Sequence, residues 1–157
     1  MTTTAPIVTR RSVDDPQVRL VFARLDAELE AAGDDDTVNF FALSADDVSE
    51  GDGALFLATL DGQPGACGAY RRIDEHAAEI KRMWVDPERR GLRLGRLILD
   101  TILTSALADG YSEIRLETGE NLTAAVALYR SAGFAPCAAW GEYVGVASSY
   151  CMSRPLR

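Results

Sequence analysis

The stretch VDPERRGLRLGRLIL, residues 85–99, combines arginines and glycines where a helical pattern begins. A helix start exposes unpaired backbone N–H groups and the positive end of the helix dipole, so it attracts anions such as phosphate. Gly91 lets the chain turn, Gly95 permits a close approach to the first helical turn, and Arg90 or Arg93 can add a charge-assisted contact. The spacing is compatible with a phosphate site, but taken alone the same pattern is more typical of a solvated turn.

Two other phosphate motifs fit this stretch poorly. A Walker loop requires lysine and then serine or threonine after its second glycine, whereas Arg96 and Leu97 follow Gly95. A dinucleotide fingerprint opens a parallel unit, whereas the strand before this turn is predicted to belong to an antiparallel meander. Nucleotide hydrolysis and hydride transfer are therefore disfavoured.

The elements before the turn follow from periodicity. Apolar residues at helical spacing behind Asp-Asp-Pro predict a first helix within residues 14–33. Residues 34–53 contain Phe40 and Phe41 among acidic turns and predict a flap with a short helix. Residues 53–74 predict a hairpin that turns at Asp61-Gly62, and a third antiparallel strand follows directly.

The elements after the turn alternate between helix and strand. An apolar stripe through Ile98 and Ile102 predicts a helix packed on a sheet and ended by Gly110. A strand within residues 111–118, a second helix ended by Gly133 and two closing strands follow. This order predicts a parallel strand pair in the middle of the sheet.

Composition narrows the class of protein. A length of 157 residues suits one domain, and 47% hydrophobic residues with a net charge of -8 favour a soluble globular chain over a nucleic-acid binder. No run is long enough to span a membrane and the polar start lacks a secretion signal, so a cytoplasmic protein without membrane contact is expected. Cys67, Cys137, Cys151 and His76 lack the spacing of a disulfide framework or a metal site.

Three segments carry a resemblance to a known family: AEIKRMWVDPERRGLRLGRLIL (78–99), LETGENLTAAVALYRSAGF (116–134) and WGEYVG (140–145). They resemble the GNAT superfamily of acetyl-CoA-dependent N-acetyltransferases. The resemblance implies an α/β (α+β) fold in a single N-acetyltransferase domain over residues 1–157. That fold has a central mixed, mostly antiparallel twisted sheet of six or seven strands flanked by about four helices.

The same resemblance assigns the coenzyme contacts. In the family, backbone amides of the Arg-x-x-Gly-x-Gly turn hold the coenzyme A pyrophosphate. Arg93 replaces the middle glycine here, where its side chain could crowd the phosphates or clamp them, and Asn121 stands one residue before the position of the family asparagine. The implied cofactor-binding residues are Met83, Trp84, Val85, Arg90, Gly91, Leu92, Arg93, Leu94, Gly95, Arg96 and Asn121.

Acetyl transfer to an amine needs a base, a stabilised oxyanion and an acid for the leaving thiolate. The resemblance implies Glu79 as the base, for which the alternative is a surface strand residue paired with Lys81. Glu117 is the second candidate base. Tyr129 is the implied acid, and backbone N–H groups of residues 83–85 can polarise the thioester if the strand splays from its neighbour there.

The expected cosubstrate is acetyl-CoA, with no metal, and the expected acceptor is a small-molecule primary amine that attacks directly in a ternary complex. A protein amino terminus or lysine, a non-catalytic acyl-CoA-binding or regulatory domain and a plain interaction domain are the alternatives. Tyr143, with Phe40 and Phe41, is a candidate pocket wall, and Lys81, Arg82 and Arg72 could face an acidic acceptor. Either a monomer or a homodimer is compatible with the sequence.

Overall fold

The computed structural model describes residues 4–31 and 42–157 as a seven-stranded sheet with α-helices on both faces. The strands are β1 (Ile7–Arg10), β2 (Ala54–Leu60), β3 (Gln63–Arg72), β4 (Ala77–Val85), β5 (Glu113–Thr118), β6 (Ala135–Pro136) and β7 (Tyr150–Pro155). The α-helices are α1 (Pro16–Ala31), α2 (Leu94–Ala108) and α3 (Thr123–Ser131).

The expected number of strands is confirmed, whereas the expectation of about four helices is too high for the described residues. They contain three α-helices, and the part of the predicted flap that is described forms only the 3₁₀ helix Asp46–Val48. Phe40 and Phe41 lie outside the described residues. Within 4–31 and 42–157, no helix has both the length and the apolar character needed to cross a bilayer.

The strands lie in the order β1-β2-β3-β4-β5-β7-β6. All neighbours are antiparallel except β4 and β5, which confirms the predicted parallel pair in the middle of the sheet. The β2–β3 hairpin turns at Asp61 and Gly62, whose φ angles of 52° and 77° are those a tight turn requires.

The parallel pair is short. Ala77, Ala78 and Glu79 of β4 pair with residues 113–115 of β5, after which β4 runs on to Val85 and β5 to Thr118 without pairing to each other. The two strands therefore diverge, and a cleft opens between them inside the sheet.

A β-bulge in β4 lies beside this cleft. Lys81 pairs with Ala69 and Trp84 with Cys67, so Arg82 and Met83 face the single residue Gly68. Arg82 has a φ of 59°, and a Cβ on Gly68 would lie 2.5 Å from Met83 Sδ. Two residues opposite one define a bulge, which interrupts the alternation of side chains along the strand.

The bulge decides which face each β4 side chain occupies. Met83 packs in the cluster that contains Ile98 of α2, whereas Trp84 packs with Val21 and Leu25 of α1. The Arg82 guanidinium lies 4.7 Å from the Phe22 ring of α1. Arg82 and Trp84 thus share the α1 face, and the apolar layers on the two faces hold the cleft between them.

Candidate active site

The turn before α2 is anchored by a buried carboxylate. Asp86, only 6% exposed, accepts a hydrogen bond of 3.0 Å from Glu88 N and caps the 3₁₀ helix Pro87–Arg89. Arg24 of α1 and Arg89 pair with the same carboxylate at 3.3 and 3.7 Å. The chain then reverses at Gly91, which has a φ of 88°.

α2 begins with an uncapped first turn. Arg93 is its N-cap residue, adopts the left-handed conformation with a φ of 60°, and makes no side-chain capping bond. Leu94 points into the core at 2% exposure, and a Cβ on Gly95 would lie 3.3 Å from side-chain atoms of both Val85 and Leu128. Small size at Gly95 therefore seats the helix start against β4 and α3.

The arginines around this turn differ in exposure and in pairing. Arg90 and Arg93 are exposed, whereas Arg96 pairs with Asp100 at 2.9 Å and donates to Ser131 Oγ at 3.3 Å. Arg90 and Arg93 are therefore the cations best placed to meet an anion at the amides of α2. Arg96 is held along the helix surface.

The cleft between β4 and β5 has a volume of about 160 Å³. Its walls come from α1, both splayed strands, the turn before α3, α3 itself and the 3₁₀ helix Gly141–Tyr143. They are Leu25, Leu29, Ile80, Lys81, Arg82, Met83, Leu116, Glu117, Thr118, Gly119, Leu122, Ala125, Tyr129 and Tyr143.

Tyr129 of α3 is one of these walls. It is 7% exposed and its ring packs edge-on against Phe134 at a centroid distance of 5.8 Å. Burial raises the pKa of the Tyr129 phenol above its ordinary value, so the hydroxyl is protonated at neutral pH. A protonated hydroxyl in the cleft can donate to a departing thiolate.

Glu79 lies in a buried cluster next to the cleft and is not one of its walls. The residue is 2% exposed, Arg71 Nε donates to its Oε1 at 3.0 Å, and the Tyr143 hydroxyl donates to its Oε2 at 2.5 Å. Lys81 Nζ donates to the Tyr143 oxygen at 2.7 Å and lies 3.6 Å from Oε2. Glu79 is thus not the surface residue that the alternative interpretation expected.

Lys81 and Glu142 complete this cluster. Burial lowers the pKa of the Lys81 ammonium, and the nearby carboxylate of Glu79 opposes that shift. Glu142, which is 45% exposed, lies 3.8 Å from both Lys81 and Arg71 and connects the cluster to solvent. Two cations and two carboxylates therefore balance each other around Tyr143.

Glu117, unlike Glu79, faces the cleft. It stands near the end of β5, is half-buried, and is a wall of the cleft. Of the two candidate bases, Glu117 can meet an acceptor directly, whereas Glu79 lies behind Tyr143.

The remaining predicted coenzyme residues are only partly brought together. Met83 lines the cleft, but the Trp84 ring faces α1, where Nε1 donates to Glu28 Oε1 at 3.3 Å. Asp86 N donates to Gly65 O on β3, so strand alternation directs the Val85 N–H to the cleft side. Leu92 is 51% exposed.

Asn121 is not itself one of the cleft walls; it lies in an exposed turn beside them, with its Oδ1 folded towards Gly119. Its neighbour Leu122, which occupies the position of the family asparagine, lines the cleft instead.

Sequence reasoning found Lys81 as a partner of Glu79, 3.6 Å from its Oε2, but missed the other two. Arg71 comes from the neighbouring strand, and Tyr143 was expected only as a pocket wall. The Tyr143–Glu79 contact joins residues 64 positions apart, so no local spacing could reveal it. Among the described residues, no group of three or more His, Cys, Asp or Glu side chains could hold a metal ion.

Known proteins share both the sequence pattern and the fold. Residues 20–134 match the acetyltransferase (GNAT) family. A protein of Azospirillum brasilense named IAA acetyltransferase is 38% identical over 104 residues, which cover 65% of this chain and 67% of that protein. An uncharacterized N-acetyltransferase of Schizosaccharomyces pombe is 41% identical over 73 residues, 46% of this chain but only 38% of its own length.

Solved structures extend the similarity to nearly the whole chain. A Klebsiella pneumoniae protein assigned as an acyl-CoA N-acyltransferase superimposes with a TM-score of 0.81 at 27% identity and covers 97% of this chain and 98% of its own. The PaiA N-acetyltransferase of Thermoplasma acidophilum, solved with coenzyme A, shares the fold with a TM-score of 0.72 at 17% identity, covering 97% of this chain and 99% of its own. The chain belongs to the GNAT family of acetyl-CoA-dependent N-acetyltransferases.

Proposed function

We propose that this chain transfers the acetyl group of acetyl-CoA to a primary amine of a small molecule, by direct attack of the amine in a ternary complex. The observation that carries the proposal is the cleft between β4 and β5. Its volume of about 160 Å³ suits a small acceptor, and it places Tyr129 and Glu117 on one cavity.

The coenzyme would approach this cleft from the start of α2. Its pyrophosphate would lie against the uncapped amides of the first turn, with Arg90 and Arg93 beside it. The pantetheine arm would follow the unpaired edge of β4, where the Val85 N–H is directed to the cleft. The thioester would then reach the cleft, with Tyr129 positioned to protonate the leaving sulfur.

The acceptor would enter from the side of α1. Leu25 and Leu29 supply an apolar wall there, and Glu117 and Tyr143 supply polar groups. This combination fits an amine carried on a small apolar body.

Direct attack is supported by the placement of the described cysteines. Cys67, Cys137 and Cys151 are not walls of the cleft. Burial raises the pKa of Cys67 to about 12 and that of Cys151 to about 11. Thiols with such pKa values are poor nucleophiles at neutral pH, so these side chains are unsuited to carry a covalent acetyl group.

The first experiment measures thermal unfolding with and without acetyl-CoA in the wild type, in Arg90→Ala and in Arg19→Ala. Arg19 is an exposed α1 residue paired with Asp14, so its replacement controls for the loss of one positive charge. Ligand at about a hundred times its dissociation constant adds roughly 2.7 kcal/mol, which corresponds to a rise in Tm of about 5 to 10 °C. We expect the wild type and Arg19→Ala to show the full rise and Arg90→Ala a smaller one.

A panel of small amines and of peptides with free amino groups then tests the acceptor. Acetylation of a small amine, with peptides unmodified, supports the proposal. Peptide acetylation alone would identify a protein acetyltransferase instead. A full thermal shift without acetylation of any amine would indicate a non-catalytic acyl-CoA-binding domain, and no shift would favour a plain interaction domain.

A further inference from the structure

The position of Glu79 separates this carboxylate from the acceptor. Both of its oxygens are engaged, Oε1 by Arg71 Nε and Oε2 by the Tyr143 hydroxyl, and the residue is 2% exposed. Tyr143 and Lys81 stand between Glu79 and the cleft, which they line. An amine in the cleft therefore meets Tyr143 or Lys81 before it can meet Glu79.

We propose that the Tyr143 hydroxyl relays the proton of the acceptor amine to Glu79. The inference rests on the proposed function and deepens it, since it adds a catalytic residue and makes Glu79 a base that acts through a second group. In this arrangement Tyr143 touches the substrate, and Glu79 receives the proton without direct contact.

The direction of the relay follows from the hydrogen bonds. The Lys81 ammonium can only donate, and it donates to the Tyr143 oxygen at 2.7 Å. The Tyr143 proton therefore points to Glu79 Oε2, 2.5 Å away. Burial, followed by the hydrogen bond to Glu79, raises the pKa of the phenol, so at neutral pH the hydroxyl is protonated and passes a proton on while it accepts another.

The atoms balance over one turnover. As the amine nitrogen attacks the thioester carbon, its proton moves to the Tyr143 oxygen and the phenolic proton moves to Glu79 Oε2. The carbon–sulfur bond of the tetrahedral intermediate then breaks, and the thiolate takes the proton of Tyr129. Glu79 afterwards releases one proton to solvent and Tyr129 regains one, so the products are the amide and free coenzyme A.

Arg71 and Lys81 act as positioning residues in this scheme. Arg71 fixes one carboxylate oxygen of Glu79, which leaves the other turned to Tyr143. Lys81 holds the phenolic oxygen at the cleft wall, and Glu142 at 3.8 Å from Lys81 offers an exit towards solvent for the proton.

The test compares Tyr143→Phe, Glu79→Gln, the double variant and Glu117→Gln in acetylation of a small amine. Tyr143→Phe removes the hydroxyl and keeps the ring that packs on Trp140 at 5.0 Å. Trp140→Phe is the matched control, because it alters the same ring contact without touching the relay. Thermal unfolding and acetyl-CoA binding are measured for every variant.

We expect kcat to fall about a hundredfold in both Tyr143→Phe and Glu79→Gln, with the KM for acetyl-CoA unchanged. The double variant should be no slower than either single variant, because both substitutions interrupt the same proton path. The residual kcat of Tyr143→Phe should rise with pH without levelling, since hydroxide then replaces the relay. Trp140→Phe should retain kcat within about threefold, and the loss of kcat in Glu117→Gln should be smaller than in either Tyr143→Phe or Glu79→Gln.

Three results would overturn the relay. The first is a Tyr143→Phe enzyme with wild-type kcat and pH profile while Glu117→Gln is slow, which would make Glu117 a direct base. The second is a double variant whose loss is the product of the two single losses. The third applies if Tyr143→Phe does not fold: full activity of Glu79→Gln then refutes the relay by itself. A wild type that acetylates no amine would instead refute the proposed function, and the relay with it.

Discussion

Replacement of Arg93 by glycine should make the free protein more stable and its coenzyme complex weaker. Arg93 holds a φ of 60° at the start of α2, a conformation that costs an ordinary residue about 1–2 kcal/mol and glycine almost nothing. Glycine also gives the unfolded chain more conformational freedom, which reduces this gain in stability by about 0.4–1 kcal/mol. The difference leaves about 0.8 kcal/mol of added stability, or a rise in Tm of about 2 °C.

The coenzyme complex responds in the opposite direction. The Arg93 side chain is exposed beside the uncapped amides of α2, where a contact to phosphate would be partly screened by water. An exposed charge pair is worth up to about 1 kcal/mol, so its removal should raise the Kd for acetyl-CoA about fivefold. If the side chain instead crowds the phosphates, Kd should fall.

Arg93→Ala separates the two effects. It removes the guanidinium and keeps a Cβ at positive φ, so it should bind acetyl-CoA as weakly as Arg93→Gly without the gain in stability. Urea unfolding gives the stabilities, and calorimetric titration with acetyl-CoA gives the affinities. An Arg93→Gly protein less stable than Arg93→Ala would refute the backbone argument, and unchanged affinity in both variants would refute any phosphate contact by Arg93.

Three further outcomes can be checked independently. Gly68→Ala should destabilise the fold by about 1–3 kcal/mol in urea unfolding, because its Cβ would lie 2.5 Å from Met83 Sδ; an unchanged midpoint would contradict the tight packing at the bulge. Tyr129→Phe should lower kcat at least tenfold and leave acetyl-CoA binding intact, and a loss of binding at unchanged turnover would refute its role as acid. Stability should fall as pH rises from 9 towards 12, because the Cys67 thiol, with a pKa of about 12 when folded and 9.0 in the unfolded chain, loses its proton first in the unfolded state. Cys67→Ala should reduce that slope between pH 9 and pH 12, and an unaltered slope would exclude the thiol as its cause.

The strand order around the cleft could be predicted because the apolar residues of each segment recur at the spacing of a helix or of a strand. The helix after Pro87 has an apolar stripe through Ile98 and Ile102, and both side chains are buried against the sheet. The turn at Gly91 was predicted from glycine alone and has the positive φ expected. Local patterns of this kind depend on a few neighbouring residues, and a single sequence displays them directly.

The features that needed distant partners could not be predicted. In the run EIKRMWV, the alternation of polar and apolar residues does not decide which side chains face which side of the sheet. The bulge that changes this alternation at Arg82 depends on Gly68 in another strand. The sequence left Glu79 open between a buried base and a surface residue, because the groups that bury it, Arg71 and Tyr143, are brought to it only by sheet pairing and the closing segment. Spacing along the chain contains no trace of such contacts.

The short parallel pairing of β4 with β5 has a mechanical consequence. Only residues 77–79 of β4 pair with β5, so the sheet consists of two blocks, β1–β4 and β5–β7, joined along a brief seam. Backbone amides along the open edge of β4 should exchange with solvent faster than those buried between β2 and β3. A coenzyme arm laid along that edge would act as an additional strand while it is bound. The two blocks would therefore move least relative to each other in the coenzyme complex and most after the coenzyme is released.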